Sequence, residues 1–241
     1  VAVASGFPVF PQGAAEGAPD FTTAYMDGFV GFVKTWFFMF LLGSVFGKVM
    51  EASGAADSVA RWIVTRLGAQ YAIGAVVLSC AVLTYGGVSL FVVAFSVYPM
   101  ALFIPSSLAF GFVTFTMTSA GSPEIQNWIP TKYLGTTPYA AWEVSIVVAL
   151  FMAGVGYFWL MWMVRRATAA GERFEMNPSD PIVEERELPA VWRGIAPLLG
   201  VLVVSFFLHG SLKESALIVA LGAGVVAGLV LNARYLRRAQ F

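Results

Sequence analysis

The sequence predicts an all-α, polytopic membrane protein with a re-entrant helical hairpin and a broken transmembrane helix. Three observations predict it. Of 241 residues, 59% are apolar and only 12% are charged, whereas a soluble domain carries about 25% charged residues. The charges are unevenly spread, with no Asp, Glu, Lys or Arg in the 57 residues between Arg66 and Glu124. The apolar stretches have the length of bilayer-crossing helices, roughly 20 residues, and glycine- or proline-containing polar motifs interrupt them twice.

The same composition excludes whole classes. A mean hydropathy of +0.78 leaves too little charge to cover a soluble enzyme or a secreted scaffold. Fourteen basic residues balance fourteen acidic ones, so no basic surface for nucleic acid is predicted. A single cysteine, Cys80, and a single histidine, His209, rule out an internal disulfide and any Cys- or His-rich metal site. No P-loop, dinucleotide fingerprint, HExxH or nucleophile elbow is present, so the prediction is a non-enzyme with no cofactor and no metal.

Residues 1–27 open with VAVASG, which lacks the basic start and long apolar stretch of a signal peptide. They are expected to be the end of an earlier span plus an external segment, making the chain a fragment. A first span is predicted over 28–50. The stretch 55–67 (AADSVARWIVTRL) is too short and too charged to cross. It is predicted as an interfacial amphipathic helix with Val59, Trp62, Ile63 and Leu67 on one face.

Two short apolar arms follow, 71–83 and 88–103, joined by Thr84-Tyr85-Gly86-Gly87. They predict a hairpin over 71–103 that dips into the membrane; two ordinary short helices with a tight turn are the alternative. The broken helix is predicted over 104–140. A polar linker follows at 166–193, then two more spans and a basic tail over 194–241. In this plan 28–165 forms one transmembrane unit. Eleven basic residues fall on one side, and Lys34, Lys132 and Lys213 fall on or near the other. That asymmetry makes the side with eleven cytoplasmic and predicts a multi-pass protein of the cell inner membrane.

Chemistry is concentrated in the two interruptions. Lipid tolerates broken backbone only where protein or a water-filled cavity satisfies the freed N–H and C=O groups. In the first interruption, Gly86 and Gly87 permit a tight reversal, while Thr84, Tyr85 and Ser89 offer hydroxyls. In the second, Thr118, Ser119, Gly121, Ser122 and Asn127 surround Pro123, with Ser122 predicted to cap a new helix. A half-helix N-terminus presents unpaired N–H groups to an anion. Two such elements at membrane depth are the pattern of a transporter site; a hairpin turn plus an extramembrane loop is the simpler alternative. Glu124 and Glu143 are candidates for proton coupling, against structural roles as a first-turn acid and an interfacial acid. Gly224 and Gly228 have the spacing of a helix-packing face.

Three ordered segments carry a family resemblance: FLLGSVFGKVMEASGAADSVA (40–60), AVLTYGGVSLFVVAFSVYPMAL (81–102) and FGFVTFTMTSAGSPEIQNWIPTKYLGTTPYAA (110–141). On these the chain resembles the gluconate:proton symporter (GntP) family, especially its hydroxybutyrate-permease-like branch, within the ion transporter superfamily. The resemblance implies one half of an inverted-repeat transporter, here an N-terminal part. It implies proton-coupled uptake of a small organic acid anion of gluconate or hydroxybutyrate type, with sodium as the alternative coupling ion. The implied partners are that anion, the coupling ion and the lipid bilayer; assembly of identical copies is compatible with this plan. The sequence departs from the family where Phe103 runs straight into Ile104-Pro105, without the family's basic connection, and where the second half would follow. The rival expectation is a truncated or accessory membrane subunit without transport activity of its own.

Overall fold

The computed structural model describes residues 20–68, 71–87, 120–172 and 187–237. Much of the predicted leading segment, the second hairpin arm, the first half of the broken helix, half of the linker and the last four residues lie outside these. So do Ser89, Thr118 and Ser119.

The described residues form seven α-helices and no strand: α1 (Phe21–Ala52), α2 (Ala55–Leu67), α3 (Ala72–Tyr85), α4 (Ile125–Leu134), α5 (Trp142–Ala169), α6 (Val191–Leu212) and α7 (Ser215–Leu236). Four of them, α1, α5, α6 and α7, are long and apolar enough to cross a membrane, and α3 is a shorter apolar helix. The protein is therefore an all-helical polytopic membrane protein. Two compact units divide the chain at Leu41 and Leu42, within α1.

In the first unit, α1 starts on Asp20, whose Oδ1 accepts the N–H groups of Thr22 at 2.8 Å and Thr23 at 3.0 Å. These are two of the four donors that a helix start leaves without an intrahelical partner. The Thr22 hydroxyl, followed by the Thr23 N–H, holds the Asp20 carboxyl down at about 2, against an ordinary 3.8.

In the second unit, α2 occupies the predicted 55–67, and two of the four residues of its predicted apolar face, Val59 and Ile63, are buried. Ala55, Ala56, Val59, Ala60 and Ile63 are buried, whereas Trp62 and Leu67 are exposed. The alanines set this face, because small side chains let α2 approach the start of α6 closely. A Cβ on Gly194 would lie 2.7 Å from the Ala55 carbonyl oxygen. The Ser58 hydroxyl also donates to the Pro189 carbonyl at 2.7 Å. The Arg66 guanidinium lies 5.6 Å from the Trp62 ring, a cation–π pair suited to an interface.

The helices α6 and α7 pack along each other, joined by the tight turn at Lys213 and Glu214. Pro197 lies inside α6 and has no N–H to give to the carbonyl four residues back, that of Arg193. Asn232 of α7 supplies the missing donor, its Nδ2 giving a hydrogen bond to the Arg193 carbonyl at 3.2 Å. The Arg193 guanidinium in turn donates to the Leu231 carbonyl at 3.2 Å. Gly224 and Gly228 serve close packing: added Cβ atoms would meet Val201 and Phe46 at the first and Val49 at the second.

Candidate functional site

The end of α3 carries the first interruption. The Gly86 N–H donates to the Val82 carbonyl and the Gly87 N–H to the Thr84 carbonyl, at 3.1 and 3.0 Å. Gly87 has φ +86°, a conformation that favours glycine. Thr84 is buried, and its hydroxyl donates back to the Cys80 carbonyl of its own helix at 2.6 Å. That hydroxyl is therefore committed to α3 rather than displayed at the tip.

The second interruption meets the first. A Cβ on Gly87 would lie 3.3 Å from Pro123 Cγ. The Tyr85 hydroxyl donates to the Ala120 carbonyl at 2.8 Å, across 35 residues of chain. On its other side, the Ala120 N–H donates to Ser145 Oγ of α5 at 2.6 Å. The next amide, Gly121 N–H, donates to the Pro138 carbonyl at 2.7 Å. Three segments thus satisfy the broken backbone, as an apolar surrounding demands. Gly121 has φ +75°, and a Cβ there would collide with the Tyr139 ring.

The new helix starts later than the sequence predicts. Its cap position is Glu124, in extended conformation (φ −80°, ψ 145°), and α4 begins at Ile125. Ser122 still contributes: its buried hydroxyl oxygen accepts the Glu124 N–H at 3.4 Å. The Asn127 N–H donates to the Glu124 carbonyl at 3.0 Å. Glu143, predicted as a proton-coupling candidate against an interfacial role, sits exposed in the first turn of α5, where an acid complements the helix dipole.

Of the ten predicted binding residues, the structure gathers Tyr85, Gly87, Gly121 and Ser122 around the junction of the two interruptions. Thr84 and Gly86 flank them, Gly86 lying close under Leu198, and Asn127 follows in α4. Sequence reasoning missed Ser145, Tyr139 and Trp128. Ser145 and Tyr139 act from later in the chain, and no local motif marks their pairing with residues 120–121. Trp128 is 1% exposed, one turn into α4, and its Nε1 has no hydrogen-bond partner among the described residues.

Beside the junction a cleft of about 720 Å³ opens between α3, α5 and α6. Leu78, Trp142, Leu198 and Phe206 line it together with Tyr85 and Tyr139. An ionised carboxylate among such apolar walls would lose its hydration without compensation. Among the described residues, polar groups suited to an anion lie at the junction rather than in the cleft. No group of three or more metal-ligating side chains occurs among the described residues.

No protein-family model matches the chain, and no solved structure matches it. Among curated proteins, the uncharacterized transporter YxjC of Bacillus subtilis (strain 168) is 44% identical over 168 residues. That alignment covers 65% of this chain and 36% of the relative. The chain thus matches little more than a third of the length of that transporter.

Proposed function

We propose that the chain is the N-terminal part of a secondary active transporter of the inner membrane, of GntP type, taking up a small organic acid anion with protons. The observation that carries this reading is the meeting of two interrupted elements, with Gly87 against Pro123 and Tyr85 bonded to Ala120. Two interrupted elements in contact near the bilayer midplane are how many transporters build a substrate site without an open water path. The transporter relative supports the general class. In this reading, residues 71–103 form the re-entrant hairpin and residues 104–140 the broken helix. The carboxylate and hydroxyls of the anion are held by N–H groups of the α4 start and by the polar side chains of the junction, among them Ser122 and Asn127. Ser89, Thr118 and Ser119 join them from the flanking segments. Glu124, at the α4 start, is the leading candidate for the coupled proton, and movement of the junction between the two faces gives alternating access.

The experiment is uptake of labelled gluconate and 3-hydroxybutyrate into vesicles carrying the full-length protein, with an imposed proton gradient and, separately, a sodium gradient. Proton-driven accumulation of either acid is the expected result. Asn127→Ala should then reduce uptake at equal membrane expression, since a hydrogen-bonding group lost from a water-excluded site costs about 1–3 kcal/mol. Insertion without uptake of either acid would instead favour an accessory subunit.

A further inference from the structure

At the junction, the hydrogen-bonding side chains named by the sequence are largely committed to the protein itself. The Thr84 hydroxyl donates to Cys80, the Tyr85 hydroxyl to Ala120, and Ser122 Oγ accepts from Glu124. The amides of Ala120 and Gly121 donate to Ser145 and Pro138. Three buried side-chain polar atoms among the described residues lack any partner: Trp36 Nε1, Trp128 Nε1 and Asn232 Oδ1. Asn232 already repairs the proline site in α6, and Trp36 lies in the first compact unit. Only the Trp128 indole belongs to the helix that restarts at the junction.

We infer that Trp128 is a substrate-recognition residue, its indole N–H donating to a carboxylate or hydroxyl oxygen of the bound organic acid. This rests on the transporter reading above. A buried indole N–H ordinarily finds an acceptor, and orphaned ones are rare. Indole is a donor only, so its missing partner must be an acceptor, and an organic acid anion is rich in them. Trp128 lies in the first turn of α4, which starts at Ile125 just after the Glu124 cap position. The indole N–H therefore belongs to the same half-helix start that offers its backbone N–H groups. A neutral N–H fixes the direction of an oxygen without adding a charge, which suits a site that must also release its anion.

Trp128→Phe removes the donor and keeps an aromatic ring. In vesicles carrying the full-length protein under a proton gradient, the variant should raise the KM for gluconate or 3-hydroxybutyrate by about 5- to 150-fold. The maximal rate per inserted molecule should stay unchanged. Trp36→Phe, which removes the other orphaned indole, should leave KM at the wild-type value. A second readout needs no functional variant: in 15N-tryptophan-labelled wild-type protein, saturating gluconate or 3-hydroxybutyrate should move one indole N–H resonance, the one absent from Trp128→Phe. Wild-type uptake with an unchanged KM in Trp128→Phe overturns the assignment and leaves the transporter reading standing. An equal KM rise in Trp36→Phe, or indole resonances that all stay fixed, overturns it as well. Absence of uptake by the wild type overturns the transporter reading and this assignment together.

Discussion

The α6–α7 pair and the junction of α3 with residues 120–124 meet the same physical problem in different ways. Each contains backbone that cannot complete a regular helix in an apolar setting. In α6, Pro197 frees one carbonyl, and one side chain from the neighbouring helix, Asn232, repairs it. The helix continues and the pair remains a closely packed unit. At residues 120–121 the helix itself is gone, and Tyr85, Ser145 and the Pro138 carbonyl are all needed to satisfy two consecutive peptide units. A repair within a helix yields scaffold. A break held from several elements yields a place where side chains from distant parts of the chain converge, and the helix that restarts beyond it carries an indole donor with no partner among the described residues.

The largest expected effect tests the crowding of that break. Gly121→Ala combines a left-handed backbone with a collision against Tyr139 and should destabilise the protein by about 3 kcal/mol. Gly200→Ala in α6, where an added Cβ meets nothing within 4 Å, should leave stability nearly unchanged. Thermal unfolding of the two variants in detergent compares them directly, and equal melting temperatures would erase the distinction between crowded break and open helix.

Next comes the repaired helix. Asn232→Leu leaves the Arg193 carbonyl without its donor and should destabilise by about 2 kcal/mol. Combining it with Pro197→Ala gives that carbonyl a helical N–H again, so the double variant should recover much of the loss. A double-mutant cycle showing simple additivity would refute the repair.

Smaller still is Tyr85→Phe, which removes one of the ties on Ala120 and should cost about 1 kcal/mol. Because Ser145 holds the other side of Ala120, Ser145→Ala should be more damaging in the Tyr85→Phe background than alone. Hydrogen exchange at Gly121 reads this coupling.

The smallest effect concerns the start of α1, where one carboxylate does the work. Asp20 titrates below its unfolded value of 3.8, so its contribution is complete above that pH and fades as pH falls through about 2. Amide protection of Thr22 and Thr23 should therefore stay constant from neutral pH down to about 4 and drop only below it. Loss of protection near pH 6 would contradict the capping role.

How much of this was legible in the sequence follows from what each feature depends on. Charge-free runs located the long helices because exclusion from lipid acts on each residue by itself. Their ends are less legible: α5 runs on to Ala169, past Arg165 and Arg166, and α6 begins at Val191, before Arg193. Backbone hydrogen bonding does not stop where the apolar run stops, and Arg165 and Arg166 simply continue the helix. For α2 the span and the Val59–Ile63 part of its apolar face were legible, whereas the contribution of three buried alanines was not, because it depends on the glycine backbone of the neighbouring helix. At the junction, Gly87, Gly121 and Pro123 announced a broken chain. The acceptors and donors that close it lie about 17–35 residues away, and no local pattern encodes such pairings. Ser122 was legible as a polar group at the restart, whereas the first helical residue shifted to Ile125.

Asn232 follows Arg193 by 39 residues, and this separation governs the order of biogenesis. When α6 leaves the ribosome, the carbonyl facing Pro197 has no donor within its own segment. Released alone, α6 would leave that carbonyl without its Asn232 donor. The two-residue turn at Lys213 and Glu214 lets α7 follow at once, so the favoured route is lateral release of both helices as one hairpin. A stop in translation before Asn232 should leave α6 lingering at the insertion channel rather than partitioned into lipid.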